Sequence, residues 1–324
     1  MRIDLIGAGS LGLLLGGKLA STGNDEIRLW CRGEQQAQEL KRKGITVSYE
    51  DDRESLWIPG DRLDALATTG FVHEYLQSPS DWIILMVKQN VLHTELVKLL
   101  APLHNYKPHI LCFQNGSGHM EMLQELLPEA HLYAAVTTEA AKVKSKREVI
   151  HAGTGETWVG LWHQSKIKKR PVNDQPEAIS LLTRLNSAGF LSHLSNEVES
   201  KIYRKLLINA IINPLTAIWR IPNGELLSSS SRMQLMRELY EEAITVFDAV
   251  GIDYDANAWE NVIQVCQATA GNTSSMLADV LAGRATEIRW INGNILDMAD
   301  RSGVAVPAHR WICRVVEGMN VEKG

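Results

Sequence analysis

The sequence predicts an α/β domain built on a parallel sheet, residues 1–195, followed by an all-α C-terminal domain, residues 196–324. Three observations carry this expectation. A short apolar stretch at 2–6 runs into the glycine turn Gly7-Ala8-Gly9-Ser10-Leu11-Gly12 and then into leucines at helical spacing. Residues 82–87 form a continuous apolar run between Asp81 and Lys88, the pattern of a strand buried on both faces of a parallel sheet. From about Asn196 onward the periodicity is helical almost throughout.

The elements follow in order. Leu11, Leu14, Leu15 and Leu19 mark the first helix, and Gly23 stops it. Residues 26–30 read as the second strand, and 34–43 as a polar-rich helix ending at Gly44. The β-branched, alternating stretch 45–59 reads as extra strands. After the buried strand at 82–87 come a helix at 91–100, a strand at 109–113 and a helix near 120–127. Residues 132–137 and 157–161 read as strands, 166–175 as a charged loop, 178–186 as a helix and 190–194 as a last strand. Asn196 with Glu199 three residues on reads as a capping box opening a long helix. Pro214 is expected to end that helix.

The chain has 324 residues, 45 % of them hydrophobic, enough for two domains with a core each. Its net charge of -5 gives no general attraction for phosphate backbones, so no nucleic-acid partner is expected. The basic run 166–170 reads as a solvated loop. The four cysteines, Cys31, Cys112, Cys266 and Cys313, form no C-x-x-C pair and read as reduced thiols of a cytoplasmic protein. The ten histidines include no H-E-x-x-H, so no metal is expected. Arg2 and Asp4 interrupt the first apolar stretch, which argues against a signal peptide, and no membrane-spanning run is expected.

The glycine turn is G-x-G-x-x-G in the context that gives it meaning: it follows a strand and opens a helix. The first glycine permits the tight turn, the second lets a pyrophosphate approach, and the third lets helix and strand pack. The helix N-terminus supplies N–H groups to phosphate. The pattern predicts a Rossmann-type dinucleotide-binding domain. Folds of this kind that take NAD carry Asp or Glu at the end of the second strand. Here Cys31-Arg32 stands there, and Arg32 suits a 2′-phosphate, so NADPH/NADP is expected over NADH.

In the second half, Lys205, Asn209 and Asn213 stand at i, i+4 and i+8, one face of a helix whose other residues are nearly all apolar. Buried Lys and Asn need partners. The stripe is either a hydrogen-bond network between helices or a surface awaiting a polar ligand. A second polar cluster runs from Asn272 through Ser275, then Glu287, Asn292 and Asn294. Glu287 fits a first-turn carboxylate favouring the helix dipole equally well.

At these residues the chain resembles the ketopantoate reductase family. The stretches that carry the likeness are Arg204-Lys205-Leu206, Asn209, Ile212-Asn213-Pro214-Leu215-Thr216-Ala217, Pro222-Asn223-Gly224-Glu225-Leu226, Ser274-Ser275-Met276-Leu277, and Thr286-Glu287-Ile288 with Ile291-Asn292-Gly293. With the glycine turn, Lys88 and Asn115-Gly116, they cover nearly the whole chain. The resemblance implies reduction of 2-dehydropantoate to (R)-pantoate by NADPH, with Lys205 as general acid. It also implies that Asn209, Asn213, Asn223 and Ser275 bind the oxo acid and that Glu287 sits where substrate and nicotinamide ribose meet. Gly7, Ala8, Gly9, Ser10, Leu11, Gly12, Arg32, Lys88, Asn115 and Ala141 would line the cofactor. The site is expected between the two domains, with a small 2-oxo acid as partner; a homodimer is compatible with the sequence. Gln114 stands where relatives often have His, Val91 stands where a Gln is common, and the segment 139–142 is less typical. The alternatives are the same chemistry on another branched 2-oxo acid, or an NADPH-binding sensor without turnover.

Overall fold

In the computed structural model, which describes residues 1–116, 118–162 and 174–319, the chain divides into two compact units. One comprises Met1–Gln114 with His119–Val198; the other comprises Asn115–Gly118 and the residues from Glu199 on. Most of the charged stretch expected as a loop at 166–175 lies outside the described residues.

The first unit is built on an eight-stranded sheet in the order β12-β11-β8-β7-β6-β1-β2-β5. Its strands are β1 (Arg2–Ile6), β2 (Glu26–Cys31), β5 (Asp64–Ala67), β6 (Trp82–Leu85), β7 (His109–Cys112), β8 (His131–Thr137), β11 (Glu156–Leu161) and β12 (Leu191–Leu194). All neighbours pair parallel except β8 and β11. From β1 the chain builds outward on one side through β2 and β5, then returns to build the other side from β6. That reversal makes the crevice beyond the C-terminal ends of β1 and β6 the switch point where such sheets take ligands. Helix α1 (Ser10–Thr22) opens there and ends at Gly23 in the left-handed conformation. Apolar side chains from Ile3 to Phe190 form the core of this unit.

A second, four-stranded sheet, order β4-β3-β10-β9, consists of β3 (Ile45–Tyr49), β4 (Leu56–Ile58), β9 (Ala140–Val143) and β10 (Glu148–Gly153). The alternating stretch at 45–59 therefore forms strands, as its pattern predicts. Helix α2 is Glu34–Lys43 and α3 is Phe71–Gln77. The helix expected at 91–100 begins earlier: α4 (Gln89–Val91), a π turn at Leu92–Leu96 and α5 (Val97–Leu100). Helices α6 (His119–Leu126) and α7 (Pro176–Ser187) complete the unit.

The second unit carries α8 (Val198–Trp219), α9 (Ser230–Val250), α10 (Ala258–Ala268), α11 (Ser275–Leu281), α12 (Ile288–Ser302) and α13 (Pro307–Met319). Its core runs from Leu206 to Val316 and shares no residue with the first.

Two local expectations need correction. Helix α8 starts at Val198, and the side chain that caps the turn before it is Ser195, whose hydroxyl accepts the Glu197 N–H at 3.0 Å, in place of the expected Asn196–Glu199 box. Nor does α8 end at Pro214; it continues to Trp219 with the proline inside. Proline removes the N–H that would bond the carbonyl four residues back, here that of Ala210. That carbonyl instead accepts a hydrogen bond from the Asn292 side-chain amide at 2.7 Å, so the helix passes through without a stranded buried acceptor.

Candidate active site

In the first unit the glycine turn sits directly after β1. Gly7 has φ 114, and a Cβ there would lie 2.9 Å from the Met86 carbonyl carbon. A Cβ on Gly12 would fall 1.8 Å from the Gly7 carbonyl oxygen, so only glycine lets α1 start this close to the turn. A Cβ on Gly9 would meet nothing within 4 Å. The turn is thus closed against protein on two sides and open at its middle glycine, at the N-terminus of a helix. This geometry fits a dinucleotide pyrophosphate. The Ala8 carbonyl is held by the Gln36 side-chain amide at 3.0 Å, a contact no sequence pattern announced.

Arg32 follows β2. Its side chain is 78 % exposed and pairs at 2.6 Å with Glu95, itself 52 % exposed, on the π turn. Exposed pairs of this kind contribute about 0–1 kcal/mol, so the guanidinium is free to be recruited by a phosphate. Lys88 is exposed at the start of α4. Gln114 is buried and its amide donates to the carbonyls of Leu85 and Val87 at 3.0 and 2.9 Å, tying down the end of β6. Ala141 lies half-buried on β9 and packs against the core of the same unit.

In the second unit, α8 presents Lys205, Asn209 and Asn213 on successive turns, all wholly or partly buried. Loss of hydration pulls the Lys205 ammonium down to about 8, and the nearby Glu287 carboxylate opposes that shift. Glu287 is the residue before α12, and its Oε2 accepts from the Asn115 amide at 3.3 Å. Lys205, Glu287 and Asn115, far apart in sequence, thus form one polar group. Asn213 reaches Ser275 Oγ, 3.5 Å away at the start of α11. One turn on, Thr216 bonds Ser274 at 2.7 Å, and Ser274 caps α11 by accepting the Leu277 N–H. These contacts hold α8 and α11 together along the polar face.

Asn223 is buried; its amide donates to Thr269 at 2.9 Å, while its Oδ1 is buried without a partner. Asn209 makes no side-chain hydrogen bond among the described residues. Thr269, the partner of Asn223, carries no sequence signal. Among the described residues, no group of three or more His, Cys, Asp or Glu could hold a metal, and no helix is long and apolar enough to cross a membrane.

A switch-point glycine turn in an α/β unit, with a helical unit carrying a desolvated lysine beside a carboxylate, defines a dinucleotide-dependent oxidoreductase. The family model described as ketopantoate reductase PanE/ApbA matches residues 3–164, and that described as its C terminal matches 197–320. The chain belongs to the ketopantoate reductase family. It is 32 % identical over 325 residues to 2-dehydropantoate 2-reductase of Archaeoglobus fulgidus, covering 100 % of this chain and 98 % of that one. It is 30 % identical over 306 residues to the Bacillus subtilis enzyme of the same name, covering 94 % and 92 %. The fold is also that of D-mandelate dehydrogenase, solved as a ternary structure with NADH and anilino(oxo)acetate, with TM-score 0.83, 24 % identity and coverage of 99 % and 98 %.

Proposed function

We propose that this chain reduces 2-dehydropantoate to (R)-pantoate with NADPH, a step of pantothenate and coenzyme A biosynthesis, and that Lys205 is the general acid. In this reading residues 1–195 hold the cofactor and residues 196–324 carry the substrate and acid–base groups. The observation that carries it is Lys205 itself: an ammonium brought to about 8 beside Glu287, on a helix face shared with Asn209 and Asn213.

NADPH, when bound, supplies the hydride. The glycine turn would take its pyrophosphate and Arg32 its 2′-phosphate, with Lys88, Asn115 and Ala141 along the same cofactor. Addition to the ketone carbon puts negative charge on the ketone oxygen. Lys205 Nζ stabilises that charge and delivers the proton to it. Glu287 keeps the lysine protonated near neutral pH, because its negative charge opposes the desolvation. Asn209, Asn213, Asn223 and Ser275 bind the carboxylate and hydroxyl of the oxo acid through directed hydrogen bonds. The unpartnered Oδ1 of Asn223 is suited to accept from a substrate hydroxyl. The four cysteines are free and buried, which accords with a cytoplasmic home.

The test is cofactor oxidation with a panel of 2-oxo acids. Rapid turnover with 2-dehydropantoate is expected. Turnover only with other branched 2-oxo acids would move the substrate assignment, and NADPH binding without any turnover would remove the catalytic one.

A further inference from the structure

We infer that Asn292 is a positioning residue: its amide takes the place of the N–H that Pro214 lacks and thereby fixes the stretch of α8 that carries Asn209 and Asn213. In a regular helix the Ala210 carbonyl would bond the N–H of residue 214. Asn292 Nδ2 supplies that bond at 2.7 Å, and its second hydrogen points to His309 Nδ1 at 3.1 Å. The orientation of this amide is determined. His309 Nε2 donates to the Leu239 carbonyl at 3.0 Å, so Nδ1 carries the lone pair, and only the NH2 end of Asn292 satisfies both neighbours. Asn292, His309 and Ala210 are all fully buried, so bulk water does not reach this carbonyl in the intact protein.

The consequence lies in where the pinned carbonyl sits. Ala210 is flanked by Asn209 and stands three residues before Asn213. Asn292 lies on α12, the helix that Glu287 precedes. One helix thus carries both the carboxylate beside Lys205 and the amide that pins the middle of α8. Gln or Ser at 292 would not reproduce the reach and the two donors together. The inference rests on the reading that this face binds the oxo acid.

The test is a rescue. Asn292→Ala should raise KM for 2-dehydropantoate and lower kcat, together about tenfold or more in kcat/KM, as expected when a buried acceptor loses its donor. NADPH affinity should stay within about twofold, since the glycine turn and Arg32, proposed to hold its phosphates, are untouched. Pro214→Ala alone should be nearly normal. In the Asn292→Ala background it returns an N–H to the Ala210 carbonyl and should restore most of kcat/KM. A merely structural amide would lower the melting temperature without moving KM. Unchanged KM and kcat in folded Asn292→Ala overturns the inference, as does failure of Pro214→Ala to restore activity. Should Asn292→Ala not fold, the double variant is assayed instead: a folded double variant with near-parent KM supports the inference, and one with raised KM, or one that does not fold, overturns it. Lys205→Ala separates the two readings: if it keeps turnover, the general-acid assignment falls, while a KM rescue at Pro214 still supports the positioning.

Discussion

An ammonium stripped of water gives up its proton more easily, and for Lys205 as the proposed general acid this sets the expected pH range of the reaction. The proton is held well below about pH 8 and lost above it. With Lys205 as the proposed proton donor, kcat/KM should fall as pH rises through about 8, approaching tenfold per unit beyond it. Lys205→Ala should keep its fold and NADPH binding but lose turnover by roughly a hundredfold or more. A folded Lys205→Ala protein with near-normal turnover, or a parent profile flat from pH 7 to 10, would defeat the assignment. Arg32 is the residue proposed to read the cofactor's 2′-phosphate. Its exposed pairing with Glu95 is weak, whereas a charge-assisted contact to a 2′-phosphate is worth about 1.5–3 kcal/mol. Arg32→Ala should therefore weaken NADPH roughly ten- to a hundredfold and leave NADH nearly unchanged. Equal losses for both cofactors in fluorescence titrations would show that Arg32 does not read the phosphate.

Helices and strands were legible where burial is continuous and obscure where an element is short or exposed. The run at 82–87 and the glycine turn predicted β6 and α1 because both faces of one, and the close packing of the other, leave little choice of residue. Strand β5 and helix α3, short and partly exposed, carry no clear periodicity in the sequence, nor do the mostly exposed β9 and its partner β10. The polar face of α8 was legible from its i, i+4 spacing, whereas the partners of that face come from residues dozens of positions away. Pro214 shows the limit clearly: propensity says stop, but a distant amide overrides it. The same packing makes α13 and α6 acid-sensitive. Burial holds His309 down to about 4 and His119 to about 3, against about 6.5 in an unfolded chain. Between those values the unfolded chain binds more protons, so stability is full above about pH 6.5 and falls as pH drops toward 4, by up to about 1.4 kcal/mol per unit for each histidine. His309→Gln should flatten the slope seen in urea melts from pH 7 to 4. An unchanged slope would mean that His309 is not buried neutral.

At the scale of the whole molecule, the two cores have no residue in common: the first spans Ile3 to Phe190 and the second Leu206 to Val316. Each unit can therefore be weakened without removing a side chain from the other core. Phe247, fully buried on α9, packs edge-on against Tyr203 at 5.8 Å between ring centroids. Phe247→Ala should cost the second unit about 3–5 kcal/mol through lost transfer energy and the cavity left behind. The glycine turn and Arg32, proposed to hold the cofactor's phosphates, belong to the first unit, so NADPH affinity measured below the melting range, where both units are folded, should be nearly unchanged. A ligand that binds only the folded form stabilises it by about 2.7 kcal/mol at a hundredfold excess over Kd. Calorimetry of Phe247→Ala should accordingly show two transitions, with the lower one assigned to the second unit and NADPH raising the upper one as much as it raises the corresponding transition of the parent. A single transition, displaced as a whole by both the substitution and the cofactor, would mean that the two units melt as one cooperative body.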